Sequence, residues 1–230
     1  MRLSLPAAER AAFASLASTF AANRRILTLF ARYLGENPTL ITSDLVKDLT
    51  DACPVPPEAA IAAILSAAFD LDEENSEADA RLAREYIAKA VMLCDPACYQ
   101  SDPYYRNIRV PSKVRGAWSL TEEQYAPYEG FVCGHLKKGR APFCEIPPLG
   151  FFSEGFSFPA VKQNGQEWMA IKPNEIETMR APLAAASGRV LTYGLGLGYF
   201  TYMASQKESV SSVTVVERDE AVISLFRENE

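Results

Sequence analysis

Gly194-Leu195-Gly196-Leu197-Gly198 and Glu217, which lies 19 residues beyond the last of these glycines, are the residues of this chain whose types and spacing suit ligand chemistry. Glycine tolerates positive backbone φ and puts no side chain between the chain and a bound molecule. A run of alternating glycines is therefore a place for close backbone approach. A carboxylate at this distance can accept hydrogen bonds from both hydroxyls of a ribose. Together they describe a site in which backbone underlies a nucleoside and one acid grips its sugar. The plain alternative is a generic α/β turn with a solvated glutamate capping a sheet edge.

Such a site needs strands and helices in a fixed order, and the flanking residues supply them. Residues 190–193 are a short apolar, β-prone run that reads as a buried parallel strand, with the glycines at its carboxyl end. Residues 200–206 read as the next helix, whose first N–H groups lack intrahelical partners and carry partial positive charge. Val213, Val215 and Val216 read as a second buried strand with Glu217 at its tip. Asp219 can cap a further helix carrying Ala221, Val222, Leu225 and Phe226. The order β-α-β-α opens a Rossmann-like, doubly wound parallel sheet.

The glycine spacing separates two ligand classes. A dinucleotide fingerprint, G-x-G-x-x-G, would need glycine at 199, where this chain has Tyr199. The pattern found, G-x-G-x-G, resembles motif I of class I S-adenosylmethionine-dependent methyltransferases, and Glu217 resembles the ribose-binding acid of that family. The resemblance covers residues 188–230. It implies S-adenosyl-L-methionine as cofactor, held by Tyr193, Gly194, Leu195, Gly196, Gly198 and Glu217, and methyl transfer to an acceptor that the sequence does not name. That family often carries Asp or Glu two residues before the first glycine, near the ammonium of the methionyl arm. Thr192 stands there in this chain, so the ammonium needs another acceptor, a backbone carbonyl or a group from the N-terminal region. A hairpin, a helix and then this motif are also similar to the polyamine aminopropyltransferases (spermidine synthase-like proteins). The run at 213–223 is like their second strand and helix, whereas 174–179 lacks their Tyr-His-Glu pattern. A non-catalytic interaction module is a third reading, with the helical region docking a partner.

Upstream, three regions follow from pattern and composition: a helical region at 1–100, an irregular segment with a hairpin and a helix at 101–186, and the partial cofactor domain at 187–230. In the first, Phe13, Leu16, Phe20, Leu27, Phe30 and Leu34 recur at helical spacing and predict one apolar face. Ser43, Pro56-Pro57 and Ser76 predict three further helix starts. Prolines and aromatics dominate 95–155, predicting loops, short strands and a short helix near 122–128. The aromatics fill an irregular core or, alternatively, line a substrate pocket. Asn164-Gly165 between two β-prone runs predicts a hairpin over 156–172. Asn174, with Glu177 as capping-box partner, predicts the helix that follows. Glu175 and Glu177 are either a carboxylate pair near a substrate or capping and solvated groups.

Composition narrows the partners. The net charge of -6 argues against a role dominated by nucleic-acid phosphates, and the basic run Lys137-Lys138-Gly139-Arg140 reads as a solvated loop. No stretch of about 18 apolar residues is present to span a membrane. With no leader visible and five cysteines, an odd number, a reduced cytoplasmic setting is expected. Cys94, Cys98, Cys133, His135 and Cys144 do not fall at paired zinc spacings, so no metal is expected. His135, the only histidine, reads as structural or as a loop residue. A sheet of this class needs about five more strands, so the chain reads as part of a longer protein. Its catalytic residues would then lie beyond 230, and the 230-residue chain would not turn over by itself.

Overall fold

The computed structural model describes residues 6–227. The helices are α1 (Ala7–Glu36), α2 (Ser43–Ala52), α3 (Pro57–Ala68), α4 (Glu77–Leu82), α5 (Ala88–Ala90), α6 (Pro96–Gln100), α7 (Pro103–Asn107), α8 (Pro173–Ala185), α9 (Tyr199–Ser205) and α10 (Glu220–Arg227). A π-helical turn, Ala83–Ile87, joins α4 to α5. The strands are β1 (Val91–Cys94), β2 (Lys113–Arg115), β3 (Trp118–Tyr125), β4 (Phe131–Val132), β5 (Lys137–Lys138) and β6 (Glu145–Ile146). They continue with β7 (Leu149–Phe152), β8 (Phe156–Gln163), β9 (Gln166–Ala170), β10 (Gly188–Tyr193) and β11 (Val210–Val216). The fold is mixed α/β: N-terminal helices, then several small sheets. None of the described helices is long and apolar enough to cross a membrane.

The chain forms two compact units, each made of two stretches: 1–94 with 127–153, and 95–126 with 154–230. Contacts thus group the chain differently from the three consecutive regions suggested by composition.

In the first unit, α1 to α5 pack around Ile26, Phe30, Ile61, Leu65, Tyr86 and Ile87. The helical period of α1 is as expected, but its phase is not. Phe13, Phe20 and Leu27 are exposed, while Thr19, Asn23, Ile26, Phe30 and Tyr33 face inward. A polar residue occupies the core face because both polar atoms of its side chain are bonded there. The Asn23 side-chain oxygen accepts from the Tyr86 hydroxyl at 3.0 Å and the Glu145 N–H at 3.2 Å, and its amide donates to the Phe143 carbonyl at 2.8 Å. Thr42, not Ser43, caps α2 through Leu45 N–H, whereas Ser76 caps α4 as expected. Residues 91–94, expected to be helical, are strand β1, which pairs in parallel with β7. The basic pair 137–138 forms a short antiparallel ladder with 145–146 rather than a loop.

The second unit carries the four-stranded antiparallel sheet β2-β3-β8-β9 and the two-stranded parallel sheet β10-β11. The β8–β9 hairpin turns on Asn164 (φ 54°) and Gly165 (φ 78°), the positive pair that a type I′ turn demands. Residues 122–125, expected to begin a helix, belong instead to β3, held against β8 over eight paired residues and by a Glu123–Lys162 ion pair of 2.6 Å. Burial along β3 alternates from Trp118 and Leu120, so a period of two prevails over the helical reading. Helix α8 starts two residues earlier than expected, with Pro173 in its first turn and no side-chain cap, which leaves Asn174 inside the helix. The aromatics of 99–118 form a core with Leu120, Val161, Ile171 and Leu197, and Tyr104 and Tyr105 also border a cavity of about 460 Å³.

Both strands of β10-β11 were expected to be buried, yet each is open on one face. Val190, Thr192, Val213 and Val215 are half-buried, whereas Leu191, Tyr193 and Val216 point outward and are exposed. Among the described residues no third strand joins this pair, so the outer edge of each strand stays unpaired. The expected run of α10 into 228–230 lies outside the described residues.

Candidate functional site

β10 ends at Tyr193, and the chain turns through Gly194 (φ 85°), Gly196 (φ 53°) and Gly198 (φ 75°) into α9. All three alternating glycines take the left-handed backbone that other residues adopt only with strain. A Cβ at Gly194 would meet open space, whereas one at Gly196 would collide with Met169 Sδ and one at Gly198 with the Phe226 ring. Two of the three glycines therefore also allow close packing, and the first lies bare.

The turn is fixed from two sides. Gly194 N–H donates to the Val216 carbonyl at 2.8 Å, extending the β10-β11 ladder by one residue. Leu195 N–H donates to Glu217 Oε2 at 2.8 Å, while Arg218 and Asp219 N–H donate to Glu217 Oε1 at 2.7 and 2.9 Å. Glu217 thus sits at the tip of β11 with its carboxylate against the glycine turn, as the spacing predicts. Partial burial raises its pKa, and the hydrogen bonds from Leu195, Asp219 and Arg218 outweigh that rise, holding the carboxyl below its ordinary range. A carboxylate has about four acceptor positions. Three are in use, so Oε2 keeps one for an incoming hydroxyl. A second ribose hydroxyl could bond only by replacing one of the backbone donors.

Behind the turn, the Tyr104 hydroxyl donates to the Leu197 carbonyl and the Tyr199 hydroxyl to Asp102 Oδ2 at 2.9 Å. Asp102 also caps α7 through Tyr104 N–H at 2.8 Å. Burial raises the pKa of both tyrosines, with the nearby Asp102 charge adding to the rise at Tyr199, so both stay protonated donors. From the sequence Tyr104 belongs to an irregular core or a pocket lining and Tyr199 only replaces a dinucleotide glycine; their bracing of the turn does not show there because their partners are distant in the chain. Asp219 caps α10 through Ala221 N–H at 2.9 Å, as expected, and accepts from Trp118 Nε1 at 3.0 Å.

The front of the turn opens on a cleft of about 900 Å³. Its floor is Thr192, Tyr193, Gly194, Leu195, Gly196 and Glu217, and its walls come from β9 (Trp168, Met169) and α8 (Glu175, Met179, Pro182). Of the residues singled out from the sequence, Tyr193, Gly194, Leu195, Gly196 and Glu217 therefore line one cleft. Gly198 does not line it, being buried at the start of α9. A second cavity of about 490 Å³, lined by residues such as Leu120, Val161, Leu197 and Leu225, is bounded by the same turn but has no carboxylate in its walls.

Comparison with family models, with curated proteins and with solved structures finds no match to this chain.

Cys133 and Cys144 are buried, Cys53 and Cys98 exposed, and no disulfide joins any of them among the described residues. Among the described residues, no three His, Cys, Asp or Glu side chains come together as metal ligands. His135 is exposed.

Proposed function

We propose that the glycine turn and Glu217 bind the adenosyl part of S-adenosylmethionine, that β10-α9-β11-α10 is the opening unit of a Rossmann-like sheet, and that the protein is a methyltransferase. The observation that carries this reading is the hydrogen bond between Glu217 Oε2 and Leu195 N–H. It brings the acid and the bare turn together at the carboxyl end of two parallel strands, where ligands of such sheets bind. The residues fit the cofactor in three respects. The cleft has the size of a small-molecule site. Gly194 leaves space where a side chain would stand. Glu217 is held ionised and keeps an acceptor for a sugar hydroxyl.

When bound, the sulfonium supplies an activated methyl group. The protein's share is positioning. The turn carries the ligand on backbone, Glu217 orients the sugar, and Tyr104 holds the turn through the Leu197 carbonyl. Trp168, Met169 and Met179 provide an apolar wall. The acceptor would enter from the side of the hairpin and α8.

Isothermal titration with S-adenosylhomocysteine tests the reading. We expect binding by the chain and a loss of about tenfold or more in affinity with Glu217→Ala, the cost of a hydrogen bond to a charged group. Absence of binding, or binding indifferent to Glu217→Ala, would favour a non-catalytic interaction module instead.

A further inference from the structure

The cleft holds a carboxylate that the glycine motif does not account for. Glu175 and Glu177 lie two residues apart on α8, which is about 200° of rotation around a helix, so they serve different surroundings. Glu177 is committed to Arg180 by an ion pair of 2.8 Å. Glu175 lines the cleft together with Thr192, Gly194 and Glu217. It is half-buried, and among the described residues its carboxylate makes no hydrogen bond or ion pair. Of the cations nearby, Lys172 bonds Glu167 at 2.7 Å and Arg180 is paired with Glu177, while Arg218, which also lines the cleft, makes no ion pair with Glu175 among the described residues. A half-buried, unpartnered carboxylate in a cleft with apolar walls attracts a positive charge.

Resting on the proposal that this cleft holds a sulfonium nucleoside, we infer that Glu175 binds the ammonium group on the aliphatic arm of that ligand. Thr192, at the end of β10, is neutral and cannot balance that charge. The missing acid is supplied from across the cleft, by a helix that precedes the strand in the chain. Glu175 and Glu217 then hold two parts of one ligand, the amine and the sugar, on either side of the sulfur. This makes Glu175 a specificity-determining residue, one that separates ligands with the amine-bearing arm from those without it.

Two probes isolate this role. S-adenosylhomocysteine carries the arm with its ammonium, whereas 5′-methylthioadenosine shares the nucleoside and thioether but lacks the arm. Both are titrated calorimetrically into the 230-residue chain and its Glu175→Gln, Glu175→Asp and Glu217→Ala variants. We expect Glu175→Gln to weaken S-adenosylhomocysteine by about tenfold and leave 5′-methylthioadenosine unchanged. Glu175→Asp should retain part of the affinity, and Glu217→Ala should weaken both probes. If the native chain binds S-adenosylhomocysteine in a Glu217-dependent way and Glu175→Gln does not weaken it, or strengthens it, the inference fails while the nucleoside reading survives. Equal weakening of both probes by Glu175→Gln would mean a structural role and overturn it too. If neither probe binds the native chain, the nucleoside reading and this inference fail together.

Discussion

Two parallel strand pairs occur among the described residues, and they are built to opposite ends. β1 and β7 pair over four residues, from Val91↔Leu149 to Cys94↔Phe152, and β4 flanks β7 on its other side. Every residue of β7 is buried. β10 and β11 pair over a longer run, ending at Tyr193↔Val216, yet neither strand contains a fully buried residue. Ladder length and burial are therefore uncoupled here. Hydrogen bonds hold both pairs in register, but the apolar contribution, which scales with area removed from water, is concentrated in the first. The second keeps its carboxyl end accessible, which is what a binding rim requires.

Substitutions should widen or collapse that contrast. Phe151, fully buried on β7, should cost about 3–5 kcal/mol when replaced by Ala. Tyr193, 77% exposed at the end of β10, should cost less than about 0.5 kcal/mol for the same change. Urea denaturation of the two variants measures the difference, and similar midpoints would erase the distinction between the pairs. Next in size is Tyr104→Phe, which strands the buried Leu197 carbonyl and should destabilise by about 1–3 kcal/mol. It should also weaken S-adenosylhomocysteine binding through a looser turn. A variant with unchanged stability would mean that the hydroxyl does not brace the turn.

Gly198→Ala introduces a Cβ at φ 75° and against the Phe226 ring, and thermal melting should report a loss of about 1–2 kcal/mol. Gly194→Ala carries the backbone strain but meets no atom, so it should cost less than Gly198→Ala; the reverse order would contradict the packing described. The smallest effect concerns pH. The folded-state pKa of Glu217 is lowered from 4.5, so its contribution to stability is present above that value and fades as pH falls through the folded pKa. Glu217→Gln should flatten this acid limb in a pH series of denaturation midpoints, and an unchanged limb would show that its hydrogen bonds to the turn do not form.

Local rules read several elements correctly because the cause lay within a few residues. Asn164-Gly165 specified its turn, Ser76 and Asp219 their helix ends, and Gly194, Gly196 and Gly198 a bend with positive φ. Where a competing partner lay far away, local rules misjudged the outcome. α1 turned Asn23 inward because Tyr86, Phe143 and Glu145 satisfy its amide. Residues 122–125 became strand because β8 offered a complete ladder. At the site, the glycines and Glu217 were legible as a spacing and Glu175 only as one of a pair with two readings, whereas Tyr104 was not marked, since its partner Leu197 lies 93 residues away.

What the amino-acid sequence determined by itself is therefore the bend and its acid: glycine's missing Cβ and a carboxylate at a strand's end act over short range, through backbone torsion and local hydrogen bonds. Only the tertiary structure decided which face of β10-β11 stays open, which of two neighbouring glutamates meets the cleft, and which tyrosine braces the turn. Those outcomes depend on helix phase and on contacts between segments distant along the chain, and a side chain's orientation is settled only when such segments pack.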